Sequence, residues 1–251
     1  MLTVEDSKLG ARTSTIHVTL QQTSEKTQQL EAKVTGYITV SPPSAEVGIS
    51  ARTNWDLHPA PQAVDLEVLG GETGRDGVWR RAIPPFVQFR KATGHLEVYG
   101  PERPPVSRGD KPPVVDQWAR FRPGGDAGGR WTNEAVAYLV DMFPAALQGF
   151  DGMASSGSSS GSSSSGRTGG SELDGKFWYP TVTLNVDMKK QLPANGEEWL
   201  YSRVVNKAMR NGRMDIEVVV MDTSGEVVAL GTQVGLVLSA SRNVGKRQKK
   251  L

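Results

Sequence analysis

Between Arg12 and Gln21 the side chains alternate, with Thr13, Thr15, His17 and Thr19 on one side and Ser14, Ile16, Val18 and Leu20 on the other. A period of two predicts a strand with one apolar face. The polar run Gln22–Gln28 separates it from Leu30–Val40, where Ala32, Val34, Gly36 and Ile38 share a face, and the two segments read as a long antiparallel hairpin. Ser41–Ala82 is rich in Pro, Gly and polar residues, has weak periodicity and reads as a connector, with Trp55 covering apolar surface. Short strands are expected at Phe86–Arg90, His95–Gly100 and Val115–Arg122.

One segment has the helical period. In Asn133–Leu147 the residues Val136, Leu139, Val140, Phe143 and Leu147 form an apolar stripe, with Thr132 as N-cap and Glu134 in the first turn. Pro144 is expected to kink or end the helix early. The residues from Gly152 to Ser171 are almost all Ser and Gly, a composition with nothing to bury that reads as a flexible insert spanning 151–176. After it, Tyr179–Met188 places Thr181, Thr183, Asn185 and Asp187 on one face and Val182, Leu184, Val186 and Met188 on the other. Trp199–Met209, a type I′ turn at Asn211-Gly212, Met214–Met221, a turn at Asp222–Gly225 and Glu226–Leu238 complete a meander. A single helix among antiparallel strands predicts an α+β sheet wrapped on that helix.

Composition narrows the chemistry. The 251 residues include no Cys and only three His, and those are far apart in sequence. Disulfides, thiolate nucleophiles and Cys-ligated metals are therefore excluded, and no metal or cofactor is expected. Catalysis, if present, falls to carboxylates, hydroxyls, amides and the backbone. The formal charge of +2 arises in the tail 242–251, which holds five cations and no acid; the rest of the chain is slightly acidic. No broad basic field for nucleic acid is present. No apolar run reaches the roughly 18 residues of a membrane helix, and the start lacks a signal-peptide pattern. A cytoplasmic location is expected; Lys249-Lys250-Leu251 is only a weak likeness to the peroxisomal Ser-Lys-Leu.

The two hairpins resemble each other. Matching Gly36 to Gly235 sets Ala32 against Gly231 and Val34 against Gln233, as if one domain occurred twice. Further motifs are Thr183-Leu-Asn-Val-Asp-Met, Glu198-Trp-Leu-Tyr201, Asn211-Gly212, Gly225-Glu-Val-Val-Ala229 and Gln233-Val-Gly235, with Leu139-Val140-Asp141 on the helix. Together they resemble the acyl-CoA thioesterase II (thioesterase-like) superfamily, built as tandem hot-dog domains, and Phe177-Trp-Tyr-Pro180 resembles fungal members. The resemblance implies a double hot-dog whose first repeat lacks its opening strand and helix. On that division, 1–40 is the partial first repeat, 41–83 a connector, 84–241 the second repeat and 242–251 the tail.

In this family an Asp on the helix, a Thr on the following strand and a Gln on the last strand hold the hydrolytic water. The resemblance therefore implies Asp141, Thr183 and Gln233 as catalytic residues, acting on an acyl-CoA or related thioester in lipid metabolism. These residue types suit hydrolysis, since a carboxylate activates water while a hydroxyl and an amide orient it. Backbone N–H groups near a helix N-terminus suit the oxyanion. Gln233 lies in an apolar run between Gly231 and Gly235, which clear space for a ligand or helix; these glycines and Asn185 are the candidate substrate contacts. Asp141 lies about 140° from the apolar stripe. Asp187 reads as a surface residue and His95 as a structural one. The competing reading is a non-catalytic acyl-CoA-binding or scaffold protein; on either reading, a homo-oligomer would complete the first repeat.

Overall fold

The structure, a computed structural model, describes residues 1–42, 46–51, 53–83, 91–103, 114–142 and 177–239. The chain divides into two units, Met1–Leu57 and His58–Leu251. The expected strand Phe86–Arg90, the end of the expected helix beyond Met142, the Ser/Gly insert and the basic tail lie outside the described residues.

The first unit is a three-stranded antiparallel sheet of β1 (Leu2–Lys8), β2 (Ser14–Thr23) and β3 (Leu30–Val40), in that order. The expected hairpin is β2–β3, with Val18 opposite Gly36 and Leu20 opposite Val34. Strand β1 is not among the elements that alternation predicts. Its Leu2 and Val4 pair with Leu20 and Val18, but Glu5, Asp6 and Lys8 blur the pattern that would announce it. Among the described residues this unit contains no helix.

Within the second unit, the stretch read as a connector contributes regular structure. That stretch contributes α1 (Leu66–Leu69) and β4 (Trp79–Ala82), the latter an edge strand of the main sheet. Further along come β5 (Leu96–Pro101), β6 (Val114–Phe121), α2 (Asn133–Asp141), β7 (Phe177–Trp178), β8 (Thr181–Met188), β9 (Trp199–Arg210), β10 (Arg213–Met221), β11 (Val227–Leu236) and β12 (Leu238–Ser239). The main sheet runs β4-β5-β6-β9-β10-β11-β8, every neighbouring pair antiparallel, and β7 pairs with β12 beside it. The β9–β10 turn has positive φ at Asn211 (51°) and Gly212 (73°), as a type I′ turn requires.

Helix α2 crosses β8, β10 and β11. Its Val136, Leu139 and Val140 are fully buried with Leu200, Met214, Ile216, Val218 and Val220. Each such side chain contributes roughly 1.5–3 kcal/mol. The helix stops at Met142, whose φ of −98° and ψ of 73° leave the helical region. Pro144 lies two residues beyond, and the residue before a proline is disfavoured in helical geometry. On the opposite face of the sheet, Asp116 and Arg203 form a buried bidentate ion pair at 2.7 and 2.8 Å, and Arg203 also donates to the Pro59 carbonyl. Trp79 packs edge-on against Tyr201 and donates from Nε1 to Ala63 O at 3.0 Å. Residues 59–79 are thereby fastened to that face.

Candidate active site

A bulge shapes the end of the sheet beneath the C-terminus of α2. Along β8 and β11 the register runs Leu184 opposite Gln233 and Thr183 opposite Val234, then jumps to Thr181 opposite Gly235. Val182 is the extra residue. A bulge changes which face the following side chain joins. Thr181 therefore stands on the helix side with Gln233, while Thr183 stands on the outer side with Val234.

Three side chains converge there. Thr181 Oγ1 donates to Asp141 Oδ1 at 2.8 Å. Gln233 Nε2 donates to Asp141 Oδ1 at 2.9 Å and to Thr181 Oγ1 at 2.6 Å. Donors and acceptors balance: both amide protons and the hydroxyl proton are used, and the carboxylate accepts twice. The amide orientation is fixed by the same logic, because a flipped Gln233 would set its carbonyl against the carboxylate. Gln233 is 2% exposed, and among the described residues its Oε1 is buried without a partner. Asp141 reaches its own sheet although it lies off the apolar stripe, because it is the last helical residue and the helix runs out over β11 and β8.

Of the residues expected from sequence, the structure thus joins Asp141 and Gln233 directly. Thr183 does not join them: strict alternation puts it beside Thr181, and the bulge separates them. It lines a shallow groove on the outer face with Asn185, Lys207, Asp215 and Thr232. Asn185 also lies on that face and donates to Thr232 Oγ1 at 3.3 Å. The glycines clear space for protein. A Cβ at Gly231 would sit 2.3 Å from Val140 Cγ1, and one at Gly235 would sit 2.5 Å from Met214 Cε. Gly231 is what lets α2 approach the sheet closely enough for Asp141 to reach Gln233. Asp187 is exposed and paired with Lys189, and His95 accepts from Gly124 N at 3.0 Å.

Sequence reasoning passed over three residues. Thr181 was hidden because the bulge between Pro180 and Thr183 shifts the register that alternation assumes. Gln117 on β6 is 1% exposed, and its Nε2 donates at 2.9 Å to the carbonyl of Met142, the residue that caps α2. Terminal helix carbonyls lack partners within the helix, so this bond ties the end that carries Asp141 to the sheet. Asn206 on β9 is 6% exposed with both amide atoms unpartnered among the described residues. A polar residue directly after the apolar pair Val204–Val205 is the signal that could have drawn notice.

Residues 61–237 match the family described as the acyl-CoA thioesterase C-terminal domain. The chain is 33% identical over 268 residues to a thioesterase-like protein, TwmA, of Talaromyces wortmannii, an alignment covering 98% of this chain and 74% of the relative. A hot-dog protein of unknown function from Alicyclobacillus acidocaldarius superposes with a TM-score of 0.61 at 14% identity, covering 94% of this chain and 71% of that one. The acyl-CoA thioesterase II TesB2 of Mycobacterium marinum superposes with a TM-score of 0.56 at 16% identity, covering 96% and 74%. The fold is the hot-dog fold, with the double arrangement expected from the repeated hairpins, and this chain belongs to the thioesterase family that carries the acyl-CoA thioesterase C-terminal domain.

Proposed function

We propose that the protein hydrolyses acyl-CoA, or a closely related acyl thioester, to the free acid and thiol. One observation carries the reading: Asp141, Thr181 and Gln233, from three separated segments, meet in a single hydrogen-bonded cluster. The names of the fungal and mycobacterial relatives support the substrate class.

Both hydrogen bonds to Asp141 fall on Oδ1, and among the described residues Oδ2 accepts none. Oδ2 is the oxygen suited to take a proton. A water donating one proton to Oδ2 and the other to Gln233 Oε1 would have its lone pair turned away from both acceptors. As it attacks the thioester carbonyl, Asp141 takes its proton, the C–S bond breaks, and Asp141 returns the proton to the departing thiolate. Thr181 and Gln233 hold the carboxylate in one orientation throughout, which is the proximity part of the barrier.

The test is thiol release from a panel of acyl-CoAs by the wild type, Asp141→Ala and Gln233→Ala. Loss of a general base is expected to lower kcat by about 10²–10⁴-fold, with the Gln233 variant falling by less. Unchanged turnover in both variants would remove the site assignment. Tight acyl-CoA binding by the wild type without turnover would instead establish an acyl-binding protein.

A further inference from the structure

Besides Gln233 and Gln117, the helix-facing side of the sheet carries a third buried amide, Asn206. Asn206 pairs in register with Ile216, which pairs with Gln233, so the three side chains stand in one row across β9, β10 and β11. Ile216 belongs to the core packed under α2, which fixes the face that all three share. Strands lie about 4.8 Å apart, so two spacings separate the amides by roughly 10 Å. Asn206 also directly precedes a bulge, since Asp215 opposes Ala208 while Ile216 opposes Asn206. Bulges of this kind recur beside active sites, where they end or redirect pairing.

The chemistry of Asn206 is unexplained by packing. Its neighbours in the row and along the strand, Ile216 and Val204, are apolar, and a leucine would fill the same place without a polar group to satisfy. Buried amides are retained with partners, and each that lacks one calls for an explanation. The row reads polar, apolar, polar: the Gln233 amide beside Asp141, then Ile216, then the Asn206 amide. An acyl group with its thioester at Asp141 and directed toward β9 would reach Asn206 by displacing the packing over Ile216.

We propose that Asn206 is a specificity residue that recognises an acyl group bearing a hydroxyl or keto oxygen several bonds from the thioester carbonyl, across an apolar stretch. The proposal rests on the hydrolytic reading above. An amide serves either substituent: a hydroxyl donates to Oδ1, and a keto oxygen accepts from Nδ2. A plain alkyl chain leaves the amide unpaired, and sites built to bond a substrate oxygen reject the analogue that lacks it far more strongly than apolar pockets reject a missing methylene.

The experiment compares octanoyl-CoA, 8-hydroxyoctanoyl-CoA and 7-oxo-octanoyl-CoA as substrates of the wild type, Asn206→Leu and Asn206→Ala. The wild type is expected to favour an oxygenated chain by at least about tenfold in kcat/KM, and both variants to lose that preference. Should no thioester be cleaved, the hydrolytic reading fails by itself. The subsite is then decided by calorimetric binding of the corresponding non-hydrolysable thioether analogues, with the same preference expected. Equal kcat/KM or equal affinity for plain and oxygenated chains in the wild type would overturn the proposal. So would a preference that survives in either variant.

Discussion

Asp141 receives its two hydrogen bonds through one oxygen, from Thr181 and from Gln233, while Gln233 also bonds Thr181. Removing the hydroxyl leaves one donor and frees the carboxylate to turn. Thr181→Ala is therefore expected to lower kcat by about 10–100-fold with little change in KM, the pattern of an interaction needed in the transition state. Thr183→Ala, on the outer face, is expected to keep wild-type kinetics. The reverse ranking in steady-state assays would place the hydroxyl function on Thr183 and refute the face assignment. Gln117 acts at one remove, through the Met142 carbonyl. Gln117→Met keeps its length and removes the donor, so kcat is expected to fall in the Asp141-containing enzyme and to show no further loss in an Asp141→Asn background. Additive losses in that double-mutant cycle would mean that Gln117 only supports the fold. At this scale the pairing of Asp141 with Gln233 was legible because residue type and spacing persist in the motifs. Thr181 was not, because register is a property of two strands and Val182 carries no mark of the bulge.

Among the elements, α2 and β11 depend on each other through Gly231. A methyl group there would collide with Val140, whereas one at Gly36 of β3 meets nothing within 4 Å. Gly231→Ala is expected to cost about 1–3 kcal/mol in urea unfolding and to lower activity by lifting Asp141 from Gln233. Gly36→Ala is expected to do neither, and equal effects would contradict the packing of the helix end. The β10–β11 turn makes a pH-dependent prediction. Burial alone would raise the Asp222 pKa, but the Lys190 ammonium, the Ser224 hydroxyl and the Glu226 N–H outweigh it and hold the carboxyl below its ordinary value. A depressed folded-state pKa contributes stability that is complete above the unfolded value of about 3.9 and disappears as pH falls through the folded value. Asp222→Asn is thus expected to narrow its stability deficit relative to wild type below about pH 4 in thermal melts; a deficit independent of pH would rule out the charge. Alternation revealed the long strands β2, β3 and β8 to β11. It did not reveal β1, β4 or α1, which are short or interrupted by charge: β4 is Trp-Arg-Arg-Ala, and α1 has a single turn.

For the molecule as a whole, the stretch between the repeated hairpins does more than connect them. Within the second unit it covers the sheet face opposite the helix, through the Trp79 packing and the Arg203 bond to Pro59. The Asp116–Arg203 pair lies at the centre of that face, with both side chains at or below 8% exposure. Arg203→Met leaves Asp116 buried without its counter-ion and is expected to cost about 3–5 kcal/mol in denaturant unfolding, whereas replacing both partners with apolar residues is expected to cost much less. A double variant as unstable as the single one would show that the arginine acts through Pro59 instead. Weak periodicity hid this role, since a segment that covers a sheet by scattered contacts needs no repeating pattern. The fold class was legible from strand and helix periods with the family motifs; the second layer on the sheet was not. The central claim is that Asp141 activates a water that attacks the thioester directly. It is tested by one turnover of acyl-CoA in ¹⁸O-water, with mass spectrometry of the released acid and of the peptide containing Asp141. The account predicts label in the acid and none in Asp141; label in the Asp141 carboxyl, the mark of an acyl-enzyme anhydride, would contradict it.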